Sequence, residues 1–362
     1  MSRTKLLAVA CAAATLITLG MTAASASVSP NAAGDVAGIE ASSIGCTSAR
    51  CVITASVTDG IKAKTALLDP ANGSVRVTPW SSAAATISQV ACPTGATCLT
   101  IGYNTRNFTA VITAISTQTG AGKVTAQLPT TDQYNLLNIA CPSSKYCWVD
   151  GYSALPGVQL PTWALLLKVS ATGKILQRTV NKSYATFQAV TCESSTTCLV
   201  ARQTHGFRYQ SMTLVNGKLG QPHDYPANYL ALDASCYSTK VCYSIASRDG
   251  GAADVVAFSL NPKTGALGAA IRLPLTATGI ACYNATQCVS VGSVTVGVGG
   301  NQTTEAAYAV ITRGKVGKPV VASKNLSSTF TGASCASPKE CYAVGTYYNT
   351  RAETTDSIVA KV

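Results

Sequence analysis

Cysteine is the residue type with the widest chemical scope in this chain of 362 residues, because its fifteen thiols could bind a metal, act as nucleophiles or form disulfides. Fourteen of them form seven close pairs, six with five intervening residues and the first with four. The pairs are Cys46-Cys51, Cys92-Cys98, Cys141-Cys147, Cys192-Cys198, Cys236-Cys242, Cys282-Cys288 and Cys335-Cys341. Zinc sites usually have closer cysteines, and neither histidine lies at ligand spacing. The spacing therefore predicts seven disulfides and no metal site.

Other residues with catalytic potential are few. The sequence contains no Gly-x-Ser-x-Gly elbow, His-Glu-x-x-His helix, phosphate loop, EF-hand or sialidase Asp-box. Two charged residues interrupt the pattern after the second cysteines: Asp150 replaces an apolar residue or threonine, and Arg202 replaces glycine or alanine. A buried aspartate needs a cationic or hydrogen-bonding partner. Arg202 is the candidate partner of Asp150, either in an ion pair between neighbouring blades or in a polar site that includes His205. A solvated strand end is the alternative.

The cysteine pairs mark seven repeats, whose first cysteines are 44 to 53 residues apart. Alternating apolar and polar residues follow the second cysteines, as in 99–103 and 289–292, which is typical of β-strands. Two further apolar runs follow, as in 163–169 and 174–180, and a hairpin turn signal separates them. Four strands in each of seven repeats predict an all-β, seven-bladed β-propeller, in which each disulfide closes the hairpin between the first two strands of a blade.

The N-terminus has the features of an export signal. A positively charged start precedes an apolar stretch at 6–20, and Ala-Ser-Ala at 24–26 matches a signal peptidase site. We predict that residues 1–26 are a signal peptide, that the mature chain is secreted, and that no later segment spans a membrane. Lipid modification of Cys11 is an alternative interpretation of the same stretch.

Composition narrows the range of partners. Charged residues make up 12% of the chain and hydrophobic ones 47%, which excludes a disordered polyelectrolyte. The formal net charge is +12, but basic residues never form a run longer than two, so a nucleic-acid interface is not indicated. Dispersed positive charge favours weak adhesion to anionic cell-wall polymers. We expect a monomer without a cofactor.

The two ends of the repeat array are complementary. The last repeat stops after its third strand, and residues 27–31 precede the first repeat at the distance that fourth strands keep elsewhere. We predict a single propeller domain over 27–362, in which 27–31 supply the missing outer strand of the last blade. Such pairing would remove two open sheet edges.

Residues 141–147 and 341–345 read Cys-Pro-Ser-x3-Cys and Cys-Tyr-Ala-Val-Gly. They resemble the repeats of secreted actinobacterial β-propeller proteins, which are classed with WD-repeat-like or quinoprotein-like propellers. The resemblance extends over all seven repeats and implies export and a propeller fold. That family is largely of unassigned function, so the resemblance transfers only the paired cysteines and the glycine after the second strand, both with structural roles.

The innermost strands of a propeller surround its channel, so their polar residues are candidate ligands. Three residues before each first cysteine the chain has small or polar residues, of which Gln89, Asn138 and Asp233 are the largest. We predict that they line the channel, where they could hold water, a cation or a sugar hydroxyl. Packing without a ligand is the alternative.

Tyrosines end several second strands, among them Tyr103, Tyr152, Tyr347 and Tyr348. We predict that they lie on one rim, where exposed tyrosines with polar neighbours favour carbohydrate or protein contact. Packing of strand ends is the alternative for each tyrosine taken alone. The leading hypothesis is a non-enzymatic protein that binds a cell-wall glycan, an extracellular protein or a small ligand. The alternative hypothesis is a polysaccharide hydrolase or lyase, whose candidate acids are Asp150, Asp233 and Glu193, with Arg202 or His205 as partners. The third hypothesis is a purely structural envelope protein.

Overall fold

The computed structural model describes most of the chain after residue 38. Its described residues are 39–57, 63–78, 86–104, 107, 109–130, 133–154, 162–248, 254–297, 302–322, 327–350 and 353–362. The predicted signal peptide and the predicted closing strand at 27–31 lie outside these ranges. Within them, no helix is long and apolar enough to cross a membrane.

The strands form seven sheets, here called blades 1 to 7 in chain order. Blade 1 consists of β1 (Ile39–Cys46), β2 (Cys51–Val57), β3 (Ala63–Leu68) and β4 (Val75–Thr78). Blade 2 consists of β5 (Thr86–Ala91), β6 (Thr97–Asn104), β7 (Thr109–Ser116) and β8 (Gly122–Gln127). Blade 3 consists of β9 (Gln133–Ser143), β10 (Tyr146–Ala154), β11 (Trp163–Ser170) and β12 (Ile175–Asn181). Blade 4 consists of β13 (Tyr184–Cys192), β14 (Thr197–Thr204), β15 (Tyr209–Val215), β16 (Lys218–Leu219) and β17 (His223–Asp224).

The remaining blades follow the same plan. Blade 5 consists of β18 (Tyr229–Tyr237), β19 (Val241–Arg248), β20 (Val255–Leu260) and β21 (Leu267–Arg272). Blade 6 consists of β22 (Thr276–Asn284), β23 (Gln287–Val296), β24 (Thr303–Thr312), β25 (Lys315–Val316) and β26 (Val320–Val321). Blade 7 consists of β27 (Ser328–Ser337), β28 (Glu340–Asn349) and β29 (Thr354–Lys361).

Strand pairing confirms the predicted seven-bladed propeller. Within each blade the strands are antiparallel and pair in chain order, except that the fourth strand is split in blades 4 and 6, where both short pieces pair with the third strand. The first strands of neighbouring blades contact one another around the ring, so they surround the central channel. The described part of blade 7 holds three strands, as expected from the sequence.

The hydrophobic core lies between blades. Each of the seven blade interfaces has its own cluster of buried side chains, such as Trp148 of blade 3 against Phe187 and Met212 of blade 4. Blade 7 packs directly on blade 1 through Tyr342 and Ile44. Aliphatic and alanine side chains from the central strands fill these interfaces, because alternate residues of a strand face opposite sides of the sheet. The ring therefore closes by the same packing that joins all other blades.

The seven predicted disulfides are present, one in each blade. Their Cα atoms are 3.8 to 4.1 Å apart. Cys46 and Cys51 are direct partners in the β1–β2 hairpin, as are Cys282 and Cys288 in the β22–β23 hairpin. We call the side of the propeller that carries these hairpins the disulfide face. The second strands run from it to the opposite rim.

Glycines also occupy the predicted turns between third and fourth strands. In six blades such a glycine has φ between 70° and 85°, which few other residues adopt without strain. They are Gly73, Gly120, Gly173, Gly217, Gly265 and Gly314.

Every first strand carries a β-bulge at the same point, one extra residue that leaves the ladder. The extra residues are Ser42, Ser88, Leu137, Gln188, Leu232, Thr278 and Thr331. The four hydroxyl residues each donate to a carbonyl on the first strand of the next blade, as Thr278 does to Phe330 at 2.6 Å. Blades 3, 4 and 5 have Leu137, Gln188 and Leu232 at this position, so Asn138 and Asp233 lie in blades that lack the bridging hydroxyl.

Candidate functional site

The central channel contains a cavity of about 280 Å³ among the first strands. The structure places Gln89, Asn138 and Asp233 in its wall, together with the bulge residues Ser42 and Thr278. Asp233 is the charged member of the described lining. A second cavity of about 380 Å³ lies at the disulfide end of the channel and shares several lining residues with the first, so the channel is continuous to that face.

Asn138 is the centre of a hydrogen-bond network in the channel wall. Its Nδ2 donates to Asp150 Oδ1 at 3.0 Å and to the carbonyl oxygen of Gln188 at 2.6 Å. Its Oδ1 accepts from Gln89 Nε2 at 3.0 Å, and its backbone N–H donates to Asp150 Oδ1 at 3.0 Å. The amide therefore joins blades 2, 3 and 4 at the interface where the bulge hydroxyl is missing.

Asp150 lies behind Asn138 and is fully buried. Burial raises the pKa of this carboxyl to about 7, against the opposing effect of the hydrogen bonds from Asn138, and the charge of Asp233 raises it further. Its Oδ2 has no hydrogen-bond partner among the described residues. The side chain is thus held by one oxygen only.

Asp233 joins blades 5 and 6. Its Oδ2 accepts from the backbone N–H of Ile280 at 3.0 Å, and its Oδ1 accepts from the N–H of Ala234 at 2.8 Å. Burial raises the pKa of Asp233 to about 6, and these two backbone hydrogen bonds oppose the shift. Two carboxyl groups with pKa values raised by burial therefore lie at the channel, Asp233 in its lining and Asp150 behind Asn138.

The predicted pairing of Asp150 with Arg202 is wrong. Arg202 lies opposite Gln210 on β15 and donates to Gln210 Oε1 from Nε at 2.8 Å, while its guanidinium stacks on Tyr184 at 3.3 Å from the ring centroid. Burial lowers the pKa of Arg202 to about 10. Strand register sets the partner of each residue. Asp150 faces Asn138 across β9–β10, and Arg202 faces Gln210 across β14–β15.

The two other polar candidates lie apart from this network. His205 is exposed on the loop after β14, where its Nε2 is 3.1 Å from the carbonyl oxygen of Lys182. Glu193 lies in the hairpin turn of blade 4, and burial raises its pKa. Across the described ranges, no hydrogen bond or ion pair joins His205 or Glu193 to either channel aspartate. The polar site built on Asp150, Arg202 and His205 is therefore not assembled.

A cleft of about 280 Å³ on the opposite rim brings two predicted tyrosines together. Tyr103 from blade 2 and Tyr152 from blade 3 line it with Gln133, Tyr134 and Asn135. Asn135 Nδ2 donates to the Tyr152 hydroxyl at 2.9 Å, and 40% of the Tyr103 side chain is exposed. We call this group of five residues the rim cleft.

The sequence interpretation missed three residues of the rim cleft. Gln133, Tyr134 and Asn135 begin β9, and they reach Tyr152 because Asn135 pairs with it across β9–β10. Strand pairing was the signal that could have identified them. The other two tyrosines differ from each other: Tyr348 is exposed on blade 7, whereas Tyr347 packs at the interface of blades 6 and 7.

Comparison with known proteins supports the fold alone. No family model and no curated protein matches the sequence. The structure is similar to the β-propeller domain of the trilobed protease from Pyrococcus furiosus, with 8% identity, a TM-score of 0.57 and coverage of 89% of this chain and 95% of that one. It is also similar to oligogalacturonate lyase from Vibrio parahaemolyticus, with 10% identity, a TM-score of 0.56 and coverage of 90% of this chain and 91% of that one. A third similar structure is hydrazine synthase from Kuenenia stuttgartiensis, with 11% identity, a TM-score of 0.54 and coverage of 91% of this chain and 97% of that one.

These similarities and the seven sheets define the chain as a seven-bladed β-propeller with one disulfide in each blade. At such low identity they carry no information on activity. The resemblance to secreted actinobacterial repeat proteins remains a prediction.

Proposed function

We propose that this chain is an extracellular binding protein that holds a glycan in the rim cleft. The observation that carries the proposal is the combination of two tyrosine rings with amide side chains in one concave surface. The C–H faces of a sugar ring pack on aromatic rings, while its hydroxyls exchange hydrogen bonds with amides. Tyr103 and Tyr152 would supply the rings, and Gln133 and Asn135 the amides.

The composition of the cleft favours binding over hydrolysis. Glycoside hydrolysis generally requires two carboxyl groups that flank the scissile bond. The described lining of the rim cleft contains no aspartate or glutamate. Neither aspartate lines the rim cleft: Asp233 lies in the channel wall and Asp150 is buried behind Asn138, so they do not supply that pair to the rim.

The disulfides support an extracellular location. Disulfides persist in oxidising compartments, and this chain has one in each repeat. The predicted signal peptide at 1–26 agrees with export. We propose cell-wall glycan as the ligand class, because an exported, basic protein is attracted to the anionic polymers of the wall.

Retention on insoluble cell-wall polysaccharide tests the proposal. The wild-type chain should be retained without release of soluble sugar, and Tyr103→Ala and Tyr152→Ala should each reduce retention about tenfold. Tyr348→Ala is the matched control, because this tyrosine is similarly exposed on another blade and should leave retention unchanged. Equal retention of all four proteins would contradict the rim cleft as the site. Release of oligosaccharide by the wild-type chain would contradict a purely binding role.

A further inference from the structure

The geometry of the channel points to a second site. We infer that the central channel binds a small organic cation, a primary ammonium group with neighbouring hydroxyls, whose ammonium donates to the carboxylate of Asp233 and whose hydroxyls contact Gln89 and Asn138. This site is separate from the rim cleft and does not depend on it. Its chemistry follows from the shape, charge and hydrogen-bonding capacity of the channel wall.

The channel has room for such a ligand and a route to it. Its cavity of about 280 Å³ exceeds the volume of a single sugar or amino polyol and is lined largely by polar atoms of the first strands. The continuous passage to the disulfide face passes Cys141, Thr191 and Ile280, which line both cavities. A ligand can therefore enter from that face without a change in blade packing.

Charge selects a cation. Asp233 is the charged residue of the described lining, and the fully buried Asp150 lies one hydrogen bond behind Asn138, another residue of that lining. Among the described residues, Asp150 Oδ2 has no hydrogen-bond partner, and no ion pair includes either carboxylate. Buried carboxylates without a compensating cation are unfavourable, so a positively charged ligand gains more here than a neutral one.

Hydrogen-bonding capacity selects an ammonium over a metal ion. Among the described residues, no group of three or more histidine, cysteine, aspartate or glutamate side chains could hold a metal. Hard divalent cations take six to eight oxygen ligands, and Asn138 Oδ1 already accepts from Gln89. An ammonium group instead needs a few acceptors in its three N–H directions, which one carboxylate and nearby amide oxygens provide.

Proton linkage gives the site a distinctive signature. Asp150 is the titratable group that interacts electrostatically with Asp233 in the described structure, and the pKa values of both are raised by burial. A bound cation favours the ionised carboxylates, so binding near neutral pH should release protons. Affinity should therefore rise between pH 5.5 and pH 7.5.

Calorimetric titration with glucamine and sorbitol tests the inference on the full mature chain. The two polyols differ in one group, an ammonium in place of a hydroxyl. Glucamine should bind and sorbitol should bind at least about tenfold more weakly, consistent with one charge-assisted hydrogen bond. Equal affinity for the two polyols, or no binding of glucamine, would overturn the inference. Binding of calcium chloride in place of glucamine would overturn it in favour of a metal site.

Two variants and one buffer comparison localise the effect. Asp233→Asn keeps the shape of the side chain and should weaken glucamine binding at least about tenfold. Tyr152→Ala should leave it unchanged, which separates this site from the rim cleft. Should Asp233→Asn fail to fold, the wild-type chain still decides. The heat of glucamine binding must differ between phosphate and MOPS at pH 7, because released protons protonate buffers with different heats of ionisation and neither buffer carries a primary ammonium group. Equal heats of binding in the two buffers, or unchanged glucamine binding by a folded Asp233→Asn variant, would contradict a role for Asp233 in holding the ammonium group.

Discussion

Asp150 and Asn138 lie directly opposite each other on β10 and β9, and one carboxylate oxygen accepts two hydrogen bonds from this one residue. The pair occupies the blade interface where the bulge hydroxyl found in four other blades is replaced by Leu137. Asn138 bridges to Gln188 of blade 4 in place of that hydroxyl. A polar pair thus substitutes for a repeated structural contact and places charge beside the channel at the same time.

The first prediction concerns pH and Asp150. Its folded-state pKa of about 7 lies above the ordinary value of 3.8, so its contribution to stability is fully present below pH 4 and is lost as the pH rises through 7. Asp150→Asn removes this loss and should be more stable than the wild type at pH 8, by on the order of a few kcal/mol, with little difference at pH 4. Urea unfolding at both pH values measures the change. A constant difference across the range would mean that Asp150 is ionised throughout.

The second prediction concerns the hydroxyls that bridge blades. Thr278 donates to the carbonyl oxygen of Phe330 at 2.6 Å. Thr278→Val keeps the shape but leaves that buried carbonyl without this donor, which should lower the free energy of unfolding by roughly 1–3 kcal/mol. Thr278→Ser retains the hydroxyl and serves as the control, with a smaller loss expected in urea unfolding. If serine and valine destabilise equally, packing of the methyl group outweighs the hydrogen bond.

The third prediction concerns a glycine within β23, the second strand of blade 6. A Cβ at Gly292 would overlap the carbonyl oxygen of Thr276 on the bulged partner strand. Gly292→Ala should therefore destabilise the protein by roughly 1–3 kcal/mol, because the backbone must shift. Gly95→Ala is the matched control, since nothing lies within 4 Å of its Cβ position. Thermal unfolding of both variants should separate them clearly, and equal melting temperatures would contradict the steric explanation.

The fourth prediction concerns closure of the last blade. The first described residue, Ile39, accepts at its carbonyl oxygen a hydrogen bond from Ser357 of β29 at 2.9 Å, so β1 begins beside the third strand of blade 7. We predict that 27–31 pair with β29, as the sequence suggests. A mature chain that starts at Gly38 should melt several degrees below one that starts at Ser27, because it leaves an open sheet edge. Equal melting temperatures would refute this closure.

Repetition explains how much of the fold the sequence predicts. Seven cysteine pairs and six turn glycines recur at similar spacing, so the interpretation of one repeat could be checked against the others. Strand order, the disulfides and the turns were confirmed for this reason. The channel position of Gln89, Asn138 and Asp233 follows from the same alignment.

Side-chain partners were harder to predict because they depend on register. The bulge in β9 sets Asn138, and not Arg202, against Asp150, and no sequence signal fixed that register in advance. Arg202 instead finds Gln210 across the hairpin between β14 and β15. Of the rim cleft only Tyr103 and Tyr152 were predicted, since residues 133–135 become neighbours of Tyr152 through strand pairing.

The disulfides also bear on how the chain matures. Each joins residues only five or six positions apart, so a cysteine meets its correct partner far more often than any of the other twelve in an unfolded chain. Every hairpin can oxidise as soon as it emerges, before any blade has contacted its neighbour. Oxidation and assembly of the ring are thus separable, and a chain of pre-closed hairpins needs no disulfide exchange between repeats to reach its native connectivity.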